Sequence, residues 1–388
     1  MGNRRRVLLA ALAGAAVAFA TLSTAAQAEN LTKETEKLLK DLKLGSEVLA
    51  GLDKELDVPK AWIEGAKKEG HLNTRITMAG KAFAQVWSVF AARYPGITNE
   101  HVRGVGRERA VVALIAFKSG KVISDVIASY EVLEQEYKRA DALVRITDLP
   151  SYRNYPEELR DPDGFGVSYR LQYWCMSYNT QRVKKADLPK TWDDAVNDPR
   201  WRGAKIGLAG NVHLLVPPLW ALYGDGWSDR FMNKLFHEVK PQLRKERLGG
   251  LPQLNALGEF DVGYPAGDFI VRRTADRGHP VGFHCPDVVP ATTAYISMLK
   301  GNPHPNAAKL FVNWFLSKEG QLAIHRADAN IPAHKDLRLP QFLPYPEEIA
   351  DRRIAPNTAK VRAKTPEIVE KWTKLWLAGG GVAVEGGD

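Results

Sequence analysis

Arg103 and Arg107 stand four apart in RGVGRER, near the start of an apolar helical run. Guanidinium groups so placed suit a carboxylate, phosphate or phosphonate, to which each can offer paired N–H donors. Four other stretches set polar groups beside glycine. TMAGKA offers the Thr77 hydroxyl, a backbone N–H at Gly80 and the Lys81 ammonium, and SYEV offers Ser129 and Tyr130. AGNVH offers Asn211 and His213, and GYPAGDF offers Tyr264 and Asp268. Helix starts with free N–H groups favour an anion in the same way. Each stretch also has a plain structural reading: surface charge for the arginines, core packing for the tyrosines, a helix start for Asn211 and His213, and relaxed turns for the glycines. Asp268, Tyr264 and a histidine such as His213 form an alternative metal-ligand set. Cys175 with His213 or His284 as base is the raw material of a nucleophile, but Cys175 lies inside a run of strand-forming residues and reads as buried structure. The sequence carries no nucleophile elbow, zincin motif or Gly-rich phosphate loop.

The elements that must position these groups follow from periodicity. HLNTRITMAG reads as a strand running into a loop. KAFAQVWSVFAARYPG reads as a helix with Phe83, Val86, Trp87 and Phe90 on one face and Pro-Gly as its stop. ITNEHVRG is a second strand, RERAVVALIAFKSGK a second helix and SDVIASY a third strand. This β-α-β-α-β alternation predicts an α/β sheet with right-handed crossovers. Such sheets bind ligands beyond the carboxyl ends of their strands, where TMAGKA, RGVGRER and SYEV fall. AGNVH precedes a later helix, and GYPAGDF follows a later strand. FGVSYRLQYWCMSYNT is a β-forming run longer than most strands, long enough to pass between two bodies. In HPNAAKLFVNWFLSKEGQ, Ala307, Leu310, Phe311, Trp314 and Phe315 share one helical face, announced by His-Pro and closed by Lys-Glu-Gly.

The first 28 residues are of another kind. NRRR, an Ala-rich apolar run and AQA at Ala26–Ala28 read as a cleaved export signal. Its Arg-Arg-Val-Leu-Leu fits either a twin-arginine signal or an ordinary basic start. The apolar run is too short to span a membrane, and no second one follows. The whole chain carries a net charge of +9, and removing the three signal arginines leaves a mild excess of +6. That excess is spread along the chain, which excludes a nucleic-acid-binding block and weakly favours anionic ligands. Residues 29–70 are a charged, helix-prone extension broken at Gly45, Gly51 and Pro59, and 378–388 read as a flexible tail.

Four stretches, in order, resemble the periplasmic solute-binding proteins of ABC importers, in the branch related to ferric-iron-binding proteins. They are AKKEGHLNTRI with FAARYPGITNEHV, then YWCMSYNTQRVKKADLPKTWDDAVNDPRWRGAKIGLA, then LNALGEFDVGY, and last HPNAAKLFVNWFLSKEGQ. The resemblance implies an α/β, two-lobe periplasmic binding protein fold, type II-like, with crossover hinge strands and a ligand cleft between the lobes. It suggests one lobe from 71–168 and 286–335 and the other from 169–285 and 336–377. It implies a monomer without a cofactor that takes a small-molecule solute, closes on it and hands it to an inner-membrane permease. The ferric branch has two adjacent tyrosines after the Gly-Glu-x-Asp strand, where this chain has Asp268-Phe269, so the iron site does not carry over. An enzyme on the same fold, or a sensor that no longer binds solute, are the alternatives of other classes. Crossover strands run side by side at the hinge of this fold, which makes Cys175 and Cys285 possible neighbours. We expect free thiols there, because a crosslink between moving strands would restrict closure.

Overall fold

The structure is a computed structural model that describes residues 31–103, 106–246 and 248–382, with the backbone only at 106–109 and 132. The expected export signal, the Arg107 side chain and the last residues of the tail lie outside the described residues. No helix among the described residues is long and apolar enough to cross a membrane.

Two parallel three-stranded arrays sit on either side of a pair of long antiparallel strands. β1 (His71–Arg75), β2 (Thr98–His101) and β3 (Val126–Ala128) lie in the order β2-β1-β3. β5 (Ile206–Ala209), β6 (Gln242–Arg244) and β7 (Val262–Gly267) lie in the order β7-β5-β6. We call these sides lobe 1 and lobe 2. Between them run β4 (Val167–Asn179) and β9 (Val288–Met298). The first half of β4 pairs with β9, from Val167 opposite Ile296 to Tyr173 opposite Ala291. Its second half pairs with β7 and with β8 (Val281–His284) in lobe 2. The far end of β9 pairs with β3 in lobe 1. The long β run of the sequence is therefore one strand serving both lobes.

The pairing fixes where a ligand can sit. β3 runs antiparallel to β9 and ends toward the crossover; β7 runs antiparallel to β4 and also ends toward it. The carboxyl ends of both arrays face one cleft whose floor is the middle of β4 and β9.

The late helix forms as its periodicity requires. Ala307, Leu310, Phe311, Trp314 and Phe315 are all buried on Pro305–Leu316. Lys-Glu-Gly does not close it, however. Ser317 leaves the helix and caps a second one, Lys318–Asp328, by accepting from the Gly320 N–H. Only glycine fits at 320, since a Cβ there would lie 2.2 Å from the Trp314 carbonyl oxygen. The fully buried Glu319 carboxylate accepts from Arg93 Nε (2.6 Å) and Nη2 (2.7 Å), from Trp314 Nε1 (2.6 Å) and from the Thr35 hydroxyl. Thr35 belongs to the N-terminal extension, whose Leu38, Leu39, Leu49 and Leu52 join the same core as Leu310 and Phe311.

The expectation of free thiols is overturned: Cys175 and Cys285 form a disulfide, with Cα atoms 5.0 Å apart. Met176 pairs with His284 on β4 and β8, so Cys175 and Cys285 stand opposite one another one step further along. The bond joins β4 to the chain leaving β8, two strands already paired with one another.

Candidate functional site

Lobe 1 brings its loops to the cleft largely as polar groups without partners. Beyond β1, Thr77 is half-buried, and its Oγ1 is buried with no hydrogen-bond partner. The loop is held from behind by His101, which bonds Thr74 Oγ1 (3.1 Å) and donates to the Met78 carbonyl (2.9 Å) while stacking on Phe83. The helix Gly80–Arg93 then starts with no side-chain cap, and a Cβ at Gly80 would meet nothing within 4 Å. That helix starts just past the carboxyl end of β1 with its first N–H groups uncapped and Lys81 exposed. Arg103 is exposed beyond β2. Neither Lys81 nor Arg103 has an ion-pair partner among the described residues. Beyond β3, Ser129 turns the chain at φ 56°, and its Oγ lies 3.4 Å from the Tyr169 hydroxyl. On the floor, Arg170 of β4 donates to Asn330 Oδ1 (3.2 Å), and its Nε is buried without a partner. Arg75, at the end of β1, also keeps a buried, unpartnered Nε. It lines a pocket of about 240 Å³ with Asn73, Thr74, Glu100, Val102 and Ile123.

In lobe 2, Trp174, Leu214 and Leu248 are buried in one apolar cluster, with Phe269 and Ile270 half-buried against it. Trp174 meets Phe269 edge-on at 6.0 Å and donates to Thr292 Oγ1 on β9 (2.8 Å). The helix Asp268–Ala275 begins beyond β7 with Asp268 buried at its first position. Asp268 Oδ1 accepts from the Tyr173 N–H (3.4 Å), its Oδ2 has no hydrogen-bond partner, and burial pushes its pKa up to about 7. Asn211 is buried, and His213 is half-buried. Burial pushes the His213 imidazole down to about 4, so it is neutral at ordinary pH. Several lobe 2 arginines are mated: Arg182 with Asp261, Arg200 with Asp198, Arg202 with Glu238, Arg244 with Glu246 and Arg272 with Asp276. Exposed Arg273 instead lies over the Phe269 ring, 5.7 Å from its centroid.

Two tyrosine candidates are, like Asp268 and Asn211, buried. Tyr130 is fully buried, because the Ser129 turn sends its ring back between Tyr137 and Tyr295. Tyr264 is fully buried, because β7 continues to Gly267 and leaves this residue in mid-strand, edge-on to Trp192. Sequence reasoning missed Arg170, Trp174 and Thr292. Their alternation in a long strand gave no sign of which face meets the cleft. Among the described residues, Glu55, His334 and Asp336 come close enough to share a cation. They lie outside the cleft and are already engaged: His334 Nε2 donates to Glu55, its Nδ1 accepts from the Asp336 N–H, and Lys318 pairs with Asp336 at 3.1 Å.

With this geometry in place, the comparisons with known proteins are informative. Residues 123–359 match the bacterial extracellular solute-binding protein family. That is more than half of the chain, and the chain belongs to this family. An uncharacterised protein of Haemophilus influenzae is 32% identical over 172 residues, which cover 41% of this chain and 44% of that protein. The match thus spans less than half of that relative. The structure is similar to the Trichodesmium protein IdiA (FutA) in complex with iron and citrate, with a TM-score of 0.66 at 16% identity over 81% of this chain and 100% of the other. It is also similar to the periplasmic binding protein AfuA of Actinobacillus pleuropneumoniae with fructose-6-phosphate bound. There the TM-score is 0.56 at 17% identity over 79% and 98%. The fold is that of two-lobe periplasmic binding proteins.

Proposed function

We propose that this protein is the periplasmic substrate-binding component of an ABC importer. It captures a small anionic solute in the interlobe cleft and delivers it to an inner-membrane permease. The observation that carries this reading is the set of donors without partners on lobe 1, namely Thr77 Oγ1, the uncapped start of Gly80–Arg93, Lys81 and Arg103, together with the unpartnered Nε of Arg170 on β4. Unpaired positive groups around a helix start are suited to an anion that supplies their missing partner. Arg107 belongs to the same loop by sequence. Lobe boundaries near 168 and 285, and again near 335, fit the crossings of β4, β9 and the segment after β10 (Ile331–Pro332). Export through residues 1–28 and a monomeric state complete the proposal, and no cofactor or catalytic residue is part of it.

Native mass spectrometry of protein purified without refolding tests it directly. An organic anion of defined mass is the expected finding; a retained metal or neutral solute would overturn the anion reading. Phe269 stands where the ferric branch has a tyrosine, and Tyr264 is sealed in the core. Ferric citrate is therefore expected to give no tyrosinate–iron absorption band.

A further inference from the structure

The polar pocket beside β1 holds two opposite charges that do not meet. We infer that it is a second binding site, apart from the cleft, for a small zwitterion that gives an anionic group to Arg75 and an ammonium to Glu100.

The strand register places the pocket. Asn73 and Glu100 are opposite one another on β1 and β2, so their side chains share a face of the sheet. Thr74 is level with Val126 of β3, and Ile123 lies three residues before Val126 in the chain. The walls of the pocket therefore run alongside the strands, whereas Thr77, Lys81 and Arg103 stand beyond the carboxyl ends. Arg75 is opposite Ile127, which packs with Ala110, Ala113 and Leu114 of the helix Gly106–Lys118. That helix covers the same face.

The charged groups in the pocket are unmatched. The half-buried Arg75 guanidinium makes no hydrogen bond or ion pair among the described residues, and its Nε is buried. The exposed Glu100 carboxylate has no partner among them either, and the two groups are not in ion-pair contact. Asn73 Oδ1 is engaged by His71 at 3.1 Å, which leaves its Nδ2 as a further donor without a partner. A partly desolvated guanidinium with no counter-charge favours an anion, and its fixed fork takes a carboxylate at two points. A plain anion would also meet Glu100, and a plain cation would meet Arg75. A molecule carrying both charges answers both groups, and each charge counts against a singly charged competitor. The volume of about 240 Å³ is below the roughly 300–1,000 Å³ of pockets for drug-sized ligands, which limits the frame to a few carbons.

The test is calorimetry on the whole mature protein with glycine, β-alanine, acetate and methylamine. At least one of the two amino acids should bind about tenfold or more tighter than acetate and than methylamine. Arg75→Gln and Glu100→Gln, made separately, should each weaken that binding about tenfold or more. Glu100 is exposed, so its variant is expected to fold; if Arg75→Gln melts early, Glu100→Gln decides. Hydrogen exchange with the amino acid bound should slow at 71–75 and 98–102. Binding of neither amino acid, acetate bound as tightly as both, affinity unchanged in Glu100→Gln, or protection confined to residues 167–298 would each overturn the inference. The cleft reading is tested separately by native mass spectrometry and survives any of these results.

Discussion

Lobe 1 and lobe 2 are built on the same parallel α/β plan but are held together by opposite means. Lobe 1 is knotted by a buried charge. Glu319 gathers Arg93, Trp314 and Thr35, and so fastens the N-terminal extension to the family's late helix pair. Lobe 2 is knotted covalently, by a disulfide between the strand that enters it and the turn that leaves it. Its second clasp is Glu348, which accepts from the Cys285 N–H and pairs with Lys185. Beyond its strand ends lobe 1 leaves Thr77 Oγ1, Lys81 and Arg103 without partners, whereas lobe 2 packs Trp174 edge-on to Phe269, whose ring also lies under the exposed Arg273. Polar groups left open in lobe 1 need a rigid backing, which His101 and the aromatic core behind it supply.

The comparison can be broken most severely at the disulfide. It closes a loop of 110 residues that holds most of lobe 2, and a loop of that size corresponds to roughly 5 kcal/mol of chain entropy. Cys175→Ala with Cys285→Ala should lower stability by several kcal/mol, and hydrogen exchange should rise in lobe 2 before lobe 1. Thiol titration of denatured, unreduced protein should find no free thiol, and two would sink the bond. The counterpart is Glu319→Ala, which strands a buried guanidinium and indole N–H and should cost about 3–5 kcal/mol. Here exchange should rise in lobe 1, and limited proteolysis should cut within 31–58. If lobe 2 opened first, the idea of separate knots would fail.

Two buried carboxyls should give pH profiles of opposite sign. Glu348 is held down to about 2: burial alone would raise it, but His284, Lys185 and the Cys285 N–H outweigh burial. Its stabilisation is complete above the unfolded value near 4.5 and is lost as pH falls toward 2, on the order of 2–3 kcal/mol. Asp268 is raised, so its folded form favours the proton. Stability is full below about 4 and declines as pH rises toward 7, by on the order of 3–4 kcal/mol. Asp268→Asn should therefore stabilise the protein above pH 7 and change little near pH 4. A flat difference across that range would show that Asp268 does not titrate as stated.

At the cleft mouths, Arg103→Ala and Arg170→Ala, made separately, should include at least one that weakens anion binding more than tenfold with little change in ligand-free melting. Arg272→Ala in lobe 2, whose exposed partner is Asp276, should change binding and stability by no more than about 0.5 kcal/mol. Equal effects at all three sites would erase the contrast between the lobes.

Local patterns in the sequence already determined much of this protein. The helix faces of Gly80–Arg93 and Pro305–Leu316, the β-α-β-α-β order and the loops at the carboxyl ends all follow from periods of 3.6 and 2 and from where glycine and proline interrupt them. Those rules placed Thr77, Gly80, Lys81 and Arg103 beyond strand ends because loop position follows from chain order. Tyr130 and Tyr264 escaped them, since one turn at Ser129 and three more residues of β7 send both rings into the core. Arg170, Trp174 and Thr292 became legible only once β4 and β9 were paired. The disulfide likewise waited on the register of β4 against β8. Pairing between strands 110 residues apart leaves no periodic trace along the chain. It is set by how distant elements pack together, and that the tertiary structure alone decides.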